Sequence, residues 1–129
     1  MSDLDIQFQI KKVLEEKIER NIREVKGVVL IRSDGLVISK TDNITQADAE
    51  RIGGVSSALL GMSNRVNGFL KHGKAKEIVV KGEDGLLYMR EIIPQKGIMI
   101  TVQAETEAPL GYLFVSIDDA AEVLEKLLK

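Results

Sequence analysis

One glycine- and lysine-containing string comes closest to a catalytic signature. It reads Gly68-Phe-Leu-Lys-His-Gly-Lys74 and follows the phosphate-binding loop pattern, except that Ala75 stands where that loop needs a Ser or Thr. A working loop leaves a strand and opens a helix, so that its amides point at phosphate. This string instead closes a predicted helix and leads into a predicted strand. We therefore expect no nucleotide binding there.

Few other side chains are suited to catalysis. The chain has no cysteine and one histidine, His72, which excludes a thiolate nucleophile and a Cys/His zinc or iron–sulfur site. His72 falls at the predicted end of a helix, where the dipole favours an imidazolium. Asp34 and Asp84 each stand in an Asp-Gly turn, and turn chemistry accounts for both. The sequence predicts no enzyme and no catalytic, cofactor-binding or metal-ligating residue.

Composition and charge indicate one domain of ordinary size, covering residues 1–129. The chain is 44% hydrophobic and 29% charged, so it can form a core without disulfides or a structural metal. A net charge of −2 provides no long-range attraction to nucleic acid or anionic lipid. No apolar run is long enough to cross a membrane. We expect a cytoplasmic protein that does not bind nucleic acid or insert into membranes.

Helical periodicity occurs in the first two long segments. Apolar residues three and four apart over residues 4–25 predict an amphipathic helix that ends at Gly27. Thr45 and Asp48 form a variant of the capping box, which predicts the start of a second helix running to about His72.

Turn chemistry predicts the strands. β-rich runs on either side of Asp34-Gly35 predict a hairpin over residues 28–39. A second hairpin over 77–92 turns on Asp84-Gly85, and a fifth strand follows over 98–103.

The last segment is ambiguous by local propensity. Residues 111–117 have the composition of a strand, but apolar residues from Leu110 to Leu128 share one helical face without a break. We interpret the segment as a helix beginning at about Pro109, with a strand at 111–117 as the alternative. The fold class is then α+β, in the order helix-β-β-helix-β-β-β-helix, with a five-stranded, largely antiparallel sheet.

The second helix has the most informative pattern. Its bulkier apolar residues share one face, which we expect to lie on the sheet: Ile52, Val55, Leu59, Met62, Val66 and Phe69. The opposite face carries charge only at its ends, Glu50 and Lys71, and at its margin, Arg65, and it contains Gly54, Gly61 and Gly68 at seven-residue spacing. Each interior glycine costs roughly 0.8–1 kcal/mol relative to alanine. We expect these glycines to admit a close neighbour, from a partner or from a loop or helix of the same chain.

These features together resemble the Roadblock/dynein light-chain family. The resemblance rests on the element order and on the segment Gly27–Ser39 with its Asp-Gly turn. It rests also on the Ala/Ser/Gly-rich second helix, the Asp84-Gly85 hairpin and the Leu110-Gly111 entry into the last helix. It spans essentially the whole chain and implies a single Roadblock-like domain. Profilin-like and longin domains have related layouts.

The resemblance implies a dimer that binds and regulates, or scaffolds, a small Ras-like GTPase without a cofactor. The third strands of two copies would pair, and their second helices would lie side by side. The implied dimer-interface residues are Glu77, Ile78, Val79, Val80 and Lys81, with Gly54 and Gly61. The implied partner-binding residues are Ser57, Leu60, Gly61, Asn64 and Gly68. Pairing with a second Roadblock-like chain, and activation as against passive scaffolding, both stay open.

A second hypothesis is a small-molecule-sensing domain of profilin-like or longin-like layout, with a ligand between sheet and helices. An aromatic content of 4% argues against a specific pocket.

Overall fold

A computed structural model describes residues 2–129. Three α-helices and five strands follow one another in the order that the sequence predicts, and the segment after Pro109 is helical. The elements are α1 (Asp3–Val13), a π-helical continuation (Leu14–Glu19), β1 (Val25–Arg32), β2 (Val37–Lys40), α2 (Gln46–Phe69), β3 (Ile78–Lys81), β4 (Leu86–Ile93), a 3-10 turn (Pro94–Lys96), β5 (Ile98–Ala104) and α3 (Leu110–Leu127). The α+β prediction is therefore confirmed.

The strands form one antiparallel sheet in the order β2-β1-β5-β4-β3. In the centre of the sheet, Leu30 pairs with Ile100 and Tyr88 pairs with Val102. The two hairpins lie on opposite sides of β5, so β2 and β3 become the edge strands.

The first helical segment is shorter than predicted. It ends at Glu19, and β1 already begins at Val25. Gly27 lies within β1 opposite Gln103 rather than ending a helix, and a side chain there would collide with Ile44. The buried residues Ile10, Leu14, Ile18 and Ile22 follow a strict four-residue spacing. In an α-helix, with 3.6 residues per turn, residues spaced by four drift gradually around the helix. The wider π-helical turn reduces this drift and keeps the series facing the core.

The two faces of the sheet are covered unequally. The α1/π segment and α3 together cover one face, in a core that includes Leu14, Ile18, Tyr88, Leu113 and Ile117. The other face carries α2 alone, over a smaller cluster that includes Val29, Ile31, Met89 and Met99.

Candidate functional site

α2 packs on the sheet through its small residues rather than its bulky ones. Its buried residues are Ala49, Gly53, Ser56 and Leu60. Four bulky residues, which we call the apolar stripe, are instead exposed: Val55 (49%), Met62 (61%), Val66 (54%) and Phe69 (82%). The predicted sheet-facing set is wrong for these four, whereas Ile52 and Leu59 are half-buried.

α2 is rotated about its axis relative to the predicted orientation, and close contacts of small groups with the sheet side explain this rotation. The Gly53 backbone touches the Gly35 carbonyl, and a side chain at Gly53 would collide with it. One turn later, the Ser56 and Thr101 hydroxyls are 2.8 Å apart in a buried hydrogen bond. Bulky side chains on this face would hold the helix away from the sheet. The apolar stripe therefore faces away from the sheet, and its members Met62 and Val66 border the start of β3.

The predicted partner-binding residues divide into two groups. Leu60 is buried, the Ser57 hydroxyl donates to the Ser33 carbonyl at 2.5 Å, and the Asn64 side-chain oxygen accepts from the Ala75 amide at 2.7 Å. These three residues serve the chain's own packing, so their predicted outward orientation is wrong.

The three spaced glycines are open. Gly54, Gly61 and Gly68 are exposed, and a Cβ built on each would meet no atom within 4 Å outside the helix. Within one chain, the close neighbour that the sequence predicts for a glycine of α2 is found at Gly53, next to the Gly35 carbonyl, and not at these three.

β3 offers an exposed backbone edge beside the apolar stripe. The Gly82 amide donates to the Gly85 carbonyl at 2.8 Å, and Val80 lies opposite Leu87 and Val79 opposite Tyr88. Hydrogen-bonded and non-bonded pairs alternate along an antiparallel ladder. The Val80 amide therefore donates a hydrogen bond to β4, whereas the Val79 amide points away from the sheet.

Two open grooves lie between α2 and the β3 side of the sheet. One of about 420 Å³ lies between Met62 and Val66 on α2 and Ile78 at the start of β3. The other, of about 1210 Å³, lies between Ile52 and the strand residues Val80 and Leu87. We define the interaction surface as the apolar stripe together with Ile78, Val80 and Leu87.

The phosphate-loop-like string has the context that the sequence predicts. Gly68 is in the last turn of α2, and Lys74 precedes β3. The amides of Lys71 and His72 donate back to the carbonyls of Gly68 and Asn67. They cap the C-terminus of a helix and do not form a cradle for phosphate.

The polar clusters in the described chain have structural partners. The Tyr88 hydroxyl donates to Glu77 at 2.5 Å, and burial, followed by this bond, raises the pKa of Tyr88 above its usual value. Arg90 pairs with Asp118 at 2.6 Å and stacks on the Phe114 ring. Across residues 2–129, no three His, Cys, Asp or Glu side chains are grouped to hold a metal ion. No described helix has the length and apolar character needed to cross a membrane.

The fold defines the class of the protein, a small α+β domain with three helices and a five-stranded antiparallel sheet, and sequence comparison identifies the family. Residues 17–104 match the Roadblock/LC7 domain. The chain belongs to the Roadblock/LC7 family, as the sequence resemblance implied.

Individual relatives and solved structures are similar to this chain. The uncharacterized protein MJ1340 of Methanocaldococcus jannaschii is 27% identical over 103 residues, covering 80% of this chain and 87% of its own. The structure of a Roadblock/LC7 domain from Streptomyces avermitilis superposes with a TM-score of 0.82 at 20% identity, covering 92% of this chain and 96% of its own. The gliding protein MglB from Thermus thermophilus gives 0.79 at 19% identity, covering 95% and 90%. At these identities the two structures establish the shared fold.

Proposed function

We propose that this chain is a non-catalytic homodimeric module that binds and regulates a small Ras-like GTPase. The observation that carries the proposal is the interaction surface, where one chain leaves bulky apolar side chains exposed next to an edge strand. Adjoining exposed apolar residues mark contact sites between macromolecules. Membership of the Roadblock/LC7 family supports the class of partner.

A second copy of the chain fits the interaction surface best. Antiparallel pairing of two β3 strands would join the sheets around a twofold axis, with both α2 helices on the same face. Each apolar stripe would then lie against the other and over the two grooves. This twofold pairing would also cover the Val80 side chain, which is 46% exposed in one chain.

Dimerisation is tested by adding charge to the stripe. We expect Met62→Lys and Val66→Lys to convert a dimer to a monomer, because each would bury an unpaired ammonium group in the interface. Gln95→Lys, at an exposed position on the 3-10 turn next to Glu125 of α3, is the matched control, because α3 lies on the other face of the sheet. Analytical ultracentrifugation gives the outcome, and a wild-type protein that is monomeric at micromolar concentration contradicts the homodimer.

The proposed binding of a GTPase depends on the outer side of α2, where Gly61 and Gly68 have open space around them. This helix face is low in relief and carries charge only toward its ends and at Arg65, which suits a flat protein partner, and the chain would act by positioning the GTPase's own residues. Calorimetry against purified small Ras-like GTPases, loaded with GDP or a GTP analogue, should find one that binds. Gly61→Arg should weaken that binding, whereas Gln95→Arg on the 3-10 turn should not. Failure of every GTPase to bind contradicts this part of the proposal and leaves the dimer untouched.

The ligand-sensing alternative receives less support. The larger groove is open, and its lining mixes Arg23, Lys26 and Arg51 with Asp48, Asp84 and Glu105. Such a surface lacks the enclosed apolar wall of a typical small-molecule site.

A further inference from the structure

The turn between α2 and β3 concentrates positive charge. Residues 65–76 contain Arg65, Lys71, Lys74 and Lys76, and no acidic residue occurs between Glu50 and Glu77. All four cations are exposed, and none forms an ion pair with another described residue. The net charge of −2 hides this local excess, because the acidic residues lie elsewhere.

Apolar side chains protrude among these cations. Leu70 is 58% exposed, and the neighbouring Phe69 at the end of the apolar stripe is 82% exposed. We call Arg65, Leu70, Lys71 and Lys74 the basic tip. Lys76 is left out, because it lines a small pocket beside two acidic residues, Glu77 and Glu91.

Lys71 occupies a backbone position that favours glycine. Its φ is +59°, in the left-handed region, and it is the only non-glycine residue of the described chain with a positive φ. His72 donates to Asn67 at 2.8 Å and Lys71 donates to Gly68 at 3.2 Å, which together form a Schellman cap with Lys71 at its left-handed position. A lysine there strains the backbone, although its charge suits the negative end of the helix dipole.

We propose that the basic tip is a docking site for an anionic phospholipid surface. Cations flanking an exposed aliphatic side chain are the composition of segments that bind at the headgroup level of a bilayer. The charge and the strained Lys71 favour this occupant, and the tip belongs to one chain, so the inference rests on neither the dimer nor the GTPase. Binding here is peripheral, without a membrane-spanning segment.

The test is cosedimentation of the full chain with vesicles. We expect binding to phosphatidylcholine vesicles that contain phosphatidylglycerol, weaker binding at high salt, and none to phosphatidylcholine alone. Lys74→Gln should lower the partition coefficient about fivefold, the contribution of one cation near an anionic surface. Lys96→Gln and Lys126→Gln, exposed lysines outside the tip, should leave it unchanged.

Lys71→Gly separates binding from folding. It removes the charge and relieves the left-handed strain, so we expect a higher melting temperature together with about fivefold weaker vesicle binding. The proposal is overturned if wild-type protein does not bind the anionic vesicles, or if the control lysines matter as much as the tip. It is also overturned if the tip variants weaken capture of an acidic protein partner while vesicles are not bound.

Discussion

Four glycines in α2 illustrate how one residue type serves different purposes. Gly53 lies against the Gly35 carbonyl, where a Cβ has no room. Gly54, Gly61 and Gly68 have open space around them within one chain. Only the first is explained by the packing of the domain itself, so the other three remain candidates for contact with a partner.

Alanine substitution should distinguish these two kinds of glycine. We expect Gly53→Ala to destabilise the fold by about 1–3 kcal/mol through overpacking. Gly61→Ala should stabilise it by roughly 0.8–1 kcal/mol through helix propensity. Urea unfolding measures both. Equal changes at the two positions would contradict the close approach of α2 to the β1–β2 turn.

Tyr88 should make stability fall at alkaline pH. Burial raises its pKa in the folded state above the usual value of 10.0, so the unfolded chain ionises first. The stabilisation is therefore complete below about pH 10 and is lost as pH rises above that value. Tyr88→Phe should flatten this alkaline decline in urea midpoints. An identical decline in both proteins would contradict the assigned role of Tyr88.

At the scale of elements, two neighbouring residues of β3 allow the proposed pairing between copies to be tested separately from the stability of the fold. The Val79 amide points outward and the Val80 amide bonds to β4, as the ladder alternation requires. Val79→Pro should dissociate the dimer and keep the fold, whereas Val80→Pro should lower the free energy of unfolding. Ultracentrifugation with circular dichroism checks both. A dimer that survives Val79→Pro would contradict pairing through β3.

Most elements were predictable because their signals are local. The Asp34-Gly35 and Asp84-Gly85 turns fix both hairpins, Thr45 accepts from the Asp48 amide as a cap should, and an unbroken apolar face identifies α3. The end of the first helix was missed, because a four-residue spacing looks the same in α and π geometry until it meets the sheet.

The rotation of α2 was not predictable by the same rules. A hydrophobic-face argument assumes that the bulkiest side chains pack on the chain's own sheet. Here Gly53 and Ser56 fit the sheet more closely, and their partners, Gly35 and Thr101, are distant in sequence. The sequence places the candidate site on α2 and β3, but it assigns to Ser57, Leu60 and Asn64 an outward orientation that they do not have. Val80, included through its strand, is exposed.

For the whole molecule, the unequal covering of the sheet links stability to association. One face has a full core, while the α2 face leaves Val80 and the apolar stripe exposed. A partner that binds only the folded state raises its stability by mass action. We expect the melting temperature to rise with protein concentration, and to be independent of concentration in Val79→Pro. Scanning calorimetry over a concentration series checks this, and a constant melting temperature in the wild type would contradict it.

The two sheet edges differ in a way that limits growth. Three of the four β3 residues are exposed, whereas all four residues of β2 are half-buried, with Lys11 of α1 paired to Asp42 just beyond them. A sheet that is open at both edges can add copies without end and become a fibre. In the proposed dimer, a second copy brings only its own β3 to the joint, and the outer edges of the enlarged sheet are both β2. Strand addition would then terminate after one step, which would protect a chain with an exposed edge from polymerisation.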